Sequence, residues 1–163
     1  MDIEKINMKT QIRRGAFETN SSSTHAINIY RGCDTYIPET IYVRPGEFGW
    51  ECDTFSCPED KLSYLYTWCL SRMSKEDAQN KIEEALLNLG VKEVIFEDGG
   101  TWWEDGYIDH SEDLYNDDLE TIFNNYFEDF IFNSASYIET GNDNDDIDVC
   151  EDSSADFSLY KGN

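Results

Sequence analysis

The first regular pattern in the chain is the alternation AINIYR at 26–31, in which Ile27 and Ile29 share one side. A period of two marks a half-buried strand. TIYVR at 40–44 repeats it after a turn spanning Gly32–Pro38. Residues 45–57 (PGEFGWECDTFSC) lose both the strand and the helix period and read as a loop with embedded aromatics.

At Pro58 the period lengthens. Proline suits the first position of a helix, with Ser56 or Cys57 ahead of it. Leu62, Leu65, Tyr66, Cys69, Leu70 and Met73 then recur at helical spacing on one face. Ser74 followed by Asp77 resembles a capping box with a shortened acid. Ala78, Ile82, Ala85, Leu86 and Leu89 make the next apolar stripe, and Gly90 is a natural stop. VKEVIFE at 91–97 predicts the strongest strand of the chain.

A turn region at 98–106 carries Trp102 and Trp103. The pattern then predicts a third helix over about 114–130, with Leu119, Ile122, Phe123, Tyr126, Phe127 and Phe130 facing the core. Asp117, Asp118, Glu120, Glu128 and Asp129 lie off that stripe. SYIET at 136–140 reads as a strand, and a short FSLY follows the acid-rich segment near the C-terminus. No internal repeat is visible. Three helices packed on a small mixed or antiparallel sheet give an α+β class. At 163 residues the expectation is a single α+β domain over 1–163, with a flexible N-terminal segment at 1–11 and an acidic loop at 141–156.

Charge changes the picture more than composition does. The chain holds 35 acids and 12 bases, a net charge of −23. From Glu93 onward there are 21 acids and one base, Lys161. Solubility asks only for a net charge of magnitude about 2–8. A surplus this large repels itself in the folded state, and binding to something basic would offset that cost. Direct contact with nucleic acid or an anionic membrane surface is disfavoured by the same charge. No apolar run approaches the roughly 18 residues of a membrane span, and the first residues lack an apolar signal core.

The five cysteines (Cys33, Cys52, Cys57, Cys69 and Cys150) are irregularly spaced, which points to reduced thiols in a cytosol. Cys52 and Cys57 would form half of a zinc site, but no second close pair exists.

Three polar phrases carry candidate chemistry. RRGAFETNSSSTH at 13–25 combines Arg13, Arg14, a glycine and a run of hydroxyls that could cradle an anion. It does not have P-loop spacing. Its hydroxyls could equally satisfy turn backbone, or one could act as a nucleophile with His25 as base. GYIDHS at 106–111 places Asp109 beside His110, a metal-ligand or acid–base pair with His25 as a distant third. Neighbours on a strand point to opposite faces, which favours a surface role for that pair. TGNDNDDIDVCED at 140–152 offers Asp143, Asp145, Asp146 and Asp148 for a divalent cation. Counted from Asp143, an EF-hand would need glycine where Asp148 stands and glutamate where Ser154 stands, so a solvated acidic loop is the simpler reading. No motif calls for any other cofactor.

IRRGAFETNSSSTH resembles the opening of a poorly characterised group of proteins from low-GC Gram-positive bacteria and their phages. GYIDHS and FNSASYIETGNDNDD are similar to later segments of the same group. The resemblance implies a bacterial or phage cytosolic origin and a convergence of the polar phrases at 13–25, 106–111 and 132–146 into one site. By composition alone, the acidic C-terminal two-thirds resembles phage anti-CRISPR and anti-restriction proteins that mimic nucleic acid.

These readings favour a phage-derived inhibitor that occupies the basic nucleic-acid channel of a host defence nuclease. Its contact residues would be Asp117, Asp118, Glu120, Glu128, Asp129, Asp143, Asp145, Asp146 and Asp148, with Trp102 and Trp103 as anchors. The alternative is a metal-dependent phosphoryl-transfer or hydrolytic enzyme using His25, Asp109 and His110.

Overall fold

The computed structural model describes residues 23–32, 35–49, 52–98, 105–109, 111, 114–142 and 152–161. Among these, eight strands and three helices form an α+β fold. The main sheet is antiparallel, in the order β4 (Asp53–Phe55), β7 (Tyr137–Asn142), β1 (Ser23–Ile29) and β8 (Phe157–Lys161). Two parallel ribbons accompany it. β2 (Thr40–Val43) pairs with β5 (Glu93–Phe96), and β3 (Glu47–Phe48) pairs with β6 (Tyr107–Ile108). The strongest predicted strand therefore lies outside the main sheet. Part of the expected 45–57 loop is also strand, as β3 and β4.

Central β1 explains why the alternation at its start was informative only in part. From His25 to Ile29 every residue is buried, because β7 and β8 flank the strand and both of its faces are covered. Asn28 on the second face accepts hydrogen bonds from the Asp152 backbone at 2.8 Å and from the Ser158 hydroxyl.

Helix α1 (Pro58–Leu70) starts at its proline as predicted. It is not amphipathic, however: all residues from Lys61 to Cys69 are buried. It packs against β2, β6, the second helix and the end of the third, so no side of its middle meets water. Its polar side chains serve neighbouring backbone, as buried polar groups must. Ser63 donates to the Arg44 carbonyl at 2.7 Å, and the Thr67 hydroxyl accepts from the Gly46 amide at 3.0 Å. The Trp68 indole N–H has no partner among the described residues. Burial pushes the Cys69 thiol up to about 12.

Helix α2 (Lys75–Asn88) carries both predicted signals. The Ser74 hydroxyl accepts from the Asp77 amide at 3.1 Å. At the other end Gly90 takes φ +106°, and the Val91 amide donates to Leu86 while the Gly90 amide donates to Leu87. These two bonds form the glycine-closed terminus in which the chain reverses out of the helix.

Helix α3 consists of Asn116–Thr121, a π-helical turn at Ile122–Tyr126, and Phe127–Phe132. The wide turn shifts the phase of the apolar stripe. Leu119, Ile122, Phe127 and Phe130 are buried as expected. Phe123 and Tyr126 move to the rim of the core, and Ile131 and Phe132 replace them inside.

Candidate partner-binding surface

The acids of α3 were expected to face an external partner. Three of them instead meet bases of the chain itself, each beside an aromatic ring. Lys161 lies 3.8 Å from Asp118 and 3.8 Å over the Tyr115 ring. Lys81 lies 3.2 Å from Glu120 and 4.6 Å over the Phe123 ring. Arg31 lies 3.6 Å from Asp129 and 4.3 Å over the Tyr126 ring. In every case ring and acid stand three residues apart, so they are neighbours on the helix surface. The cation takes one face of the ring and one carboxylate oxygen together.

The π-turn contributes to the Arg31 site. Asn125 lies in this turn, and the Arg31 guanidinium donates to its carbonyl at 2.8 Å. Burial raises the pKa of the Asp129 carboxyl, and Arg31 opposes that rise. The other two acids of the set are more open. Glu128 accepts from Thr35 at 2.6 Å, and the Asp117 side chain is exposed.

A fourth base meets the far end of α3. Lys61 is fully buried and donates to the carbonyls of Asn133 at 2.8 Å and Ser136 at 2.9 Å. These carbonyls follow the last turn, where the helix dipole favours positive charge. Burial lowers the Lys61 pKa to about 8. Lys61 lies off the apolar stripe of its helix, and a lysine in such a pattern is ordinarily solvated. The acid–aromatic spacing on α3 was legible, but the bases that answer it come from β8, α2 and the end of β1.

Two of the polar phrases do converge. The imidazole of His25, on β1, lies with Nε2 2.8 Å from the Asp109 carbonyl oxygen, just beyond β6. A carbonyl only accepts, so Nε2 carries the proton and Nδ1 accepts from the Tyr64 hydroxyl at 3.2 Å. His25 is 1% exposed and Tyr64 is fully buried, so this relay ties β1, α1 and the 107–109 segment together inside the core. The Asp109 carboxylate turns elsewhere, toward the Tyr107 hydroxyl at 3.4 Å. Tyr64 had no place in the predicted stripe. Two glycines permit this crossing. Gly106 has φ +76°, and a Cβ there would stand 2.6 Å from the Gly46 carbonyl, which accepts from the Tyr107 amide.

Arg13, Arg14, Trp102, Trp103, His110, Asp143, Asp145, Asp146 and Asp148 lie outside the described residues, as does the segment 1–11. The far end of the acidic loop is fixed to the sheet. The Asp152 carboxylate accepts from the Tyr30 hydroxyl, which holds its pKa below the usual carboxylate range. Among the described residues no group of three or more His, Cys, Asp and Glu side chains is placed to hold a metal ion. Cys57 and Cys69 are free thiols. No described helix is long and apolar enough to cross a membrane.

A concave surface exists elsewhere. A cleft of about 360 Å³ opens between the 42–48 segment, β4 and the first turn of α1. Its lining includes the rings of Tyr42, Phe48 and Phe55 and the carboxylates of Glu47, Glu59 and Asp60.

Comparison with known proteins finds no matching family model, no matching curated protein and no matching solved structure.

Proposed function

We propose that this protein is a phage-derived anti-defence inhibitor of the bacterial cytosol, which binds the basic nucleic-acid channel of a host nuclease as an acidic mimic. One observation carries the reading. With 12 bases against 35 acids, internal pairing of every base would still leave 23 carboxylates without a basic partner. A protein holding that surplus on a folded scaffold offers a polyanion of fixed shape to a channel lined with Lys and Arg. Internal pairing on α3 moves the expected contact surface toward Asp117, Glu128 and acids outside that helix. Asp143, Asp145, Asp146 and Asp148 remain part of the proposal, with Trp102 and Trp103 as anchors.

The test is inhibition of purified DNA-cleaving defence nucleases over a salt series. Inhibition that weakens steeply with salt, and that is relieved by excess duplex DNA, is the expected result. Converting Asp143, Asp145, Asp146 and Asp148 together to Asn should weaken it by about tenfold or more. Inhibition indifferent to both salt and that variant would remove the mimicry reading.

A second reading, a metal-dependent phosphoryl-transfer or hydrolytic enzyme, is supported by the meeting of His25 with the 107–109 segment. It expects turnover of a phosphoester in the presence of a divalent cation. His25→Gln would abolish that turnover, while circular dichroism would show the fold retained.

A further inference from the structure

We propose that the cleft beside the first turn of α1 is a docking site for an arginine side chain presented by a basic partner protein. The inference rests on the inhibitor reading for the kind of partner, and on the molecule itself for the chemistry. Three times this chain holds its own bases between a carboxylate and an aromatic ring, at Asp118 with Tyr115, Glu120 with Phe123, and Asp129 with Tyr126. The cleft is lined by the same two ingredients, and Tyr42, Glu59 and Asp60 are exposed there.

Its aromatic side is built to stay in place. Phe48 meets Phe55 edge-to-face at 5.2 Å and Tyr64 of α1 at 5.1 Å, while Tyr42 at the mouth is 50% exposed. Gly46 lets the floor close. A Cβ there would lie 2.8 Å from both the Phe48 ring and the Ser63 hydroxyl.

On its carboxylate side, Glu59 and Asp60 stand without a base among the described residues. Glu59 has no hydrogen-bond or ion-pair partner among the described residues, and the Asp60 side chain accepts only from the Cys57 thiol at 3.2 Å. The one base in the lining, Arg44, is drawn 3.8 Å from Glu97 and covers no ring among the described residues. Glu59 and Asp60 stand in the first turn of α1, at the positive end of the helix dipole.

Arginine fits this arrangement better than lysine. Its planar guanidinium can lie on a ring and still fork a carboxylate, whereas an ammonium is a compact, strongly hydrated charge. Arginine is also the residue with which nucleic-acid-binding channels grip phosphates.

The test uses the full chain labelled with ¹⁵N and titrated with an oligo-arginine peptide, then with oligo-lysine of equal length. The expected result is amide shifts centred on Gly46, Glu47 and Phe55, with weaker binding of the lysine peptide. Glu59→Gln together with Asp60→Asn should weaken oligo-arginine binding by about tenfold. Tyr42→Ala should weaken it by roughly threefold without removing any charge. Shifts centred on α3, equal affinity for both peptides, or unchanged affinity in both variants would each overturn the proposal. Outcomes for the cleft and for the inhibitor reading separate cleanly. A nuclease still inhibited by the cleft variants refutes the cleft alone, whereas arginine binding at the cleft with no nuclease inhibited refutes the inhibitor alone.

Discussion

Helix α3 and the cleft at the start of α1 use the same residue types to opposite ends. On α3 the acids stand beside aromatics, and bases from three other elements cover them. The cleft is likewise lined by acids and aromatics, but its single base, Arg44, lies 3.8 Å from Glu97. Among the described residues, the acids of α3 are therefore not the most available negative charge. Availability depends on where the 12 bases go, and four of them go to α3 and its end. In this chain α3 acts first as a clasp that gathers α2, β8 and the end of β1 around the core.

The contrast predicts unequal costs when a base is removed. The largest is expected at Lys61. Lys61→Ala would strand the Asn133 and Ser136 carbonyls in the interior and leave a cavity, costing about 3–4 kcal/mol in urea unfolding. A cost below about 1 kcal/mol would mean that Lys61 does not hold the end of α3.

Lys61 also sharpens the comparison through pH, because it alone of the four bases on α3 meets only carbonyls. Its folded pKa, about 8, lies below the ordinary lysine value of 10.5. Between these values the unfolded chain binds more protons than the folded one, so stability must rise with pH. Relative to Lys61→Met, the wild-type protein should gain roughly 3 kcal/mol between pH 7 and pH 10.5. The comparison cancels tyrosine ionisation, which affects both proteins alike. A flat difference across that window would mean that the ammonium keeps the ordinary lysine pKa in the folded protein.

Next in size are the surface clasps. Arg31 combines an ion pair, a ring contact and a carbonyl bond at the π-turn. Arg31→Ala should cost about 1–2 kcal/mol, more than an exposed ion pair alone supplies. Lys81→Ala and Lys161→Ala, which lack the carbonyl bond, should each cost about 0.5–1 kcal/mol. Equal losses at all three sites would show that the bond to the Asn125 carbonyl contributes nothing.

Local signals were legible, and partnerships were not. Pro58, Ser74 with Asp77, and Gly90 fix helix ends through bonds within a few residues, and each did so in the fold. The third helix was readable from its stripe, but its π-turn was not, since no residue type demands one. The parallel ribbons were hidden because β2 and β5 meet only after α1 and α2 have crossed between them. At the candidate site, the three-residue spacing of acid and ring was present in the sequence, while Arg31, Lys81 and Lys161 are far from α3 along the chain or belong to other elements. Burial of Lys61 and Tyr64 likewise follows from covering α1 on every side, a tertiary fact that a helical period cannot express.

The smallest effect tests the other half of the comparison. Glu59→Gln with Asp60→Asn removes two carboxylates that no base of the described chain neutralises. Neither side chain is buried, so no desolvated group is left behind. Two influences oppose each other. Losing acids from the first turn forfeits a favourable dipole interaction, on the order of 0.3–1 kcal/mol each at low salt. Losing them also relieves repulsion in a chain of net charge −23. Stability should therefore stay within about 0.5 kcal/mol of wild type in moderate salt, while Glu120→Gln, which breaks the Lys81 clasp, should be measurably destabilising. If the cleft double variant lost more stability than Glu120→Gln, the cleft acids would be structural and the contrast with α3 would collapse. If it lost none while its affinity for arginine fell, the cleft acids would be held for a partner and the α3 acids for the fold.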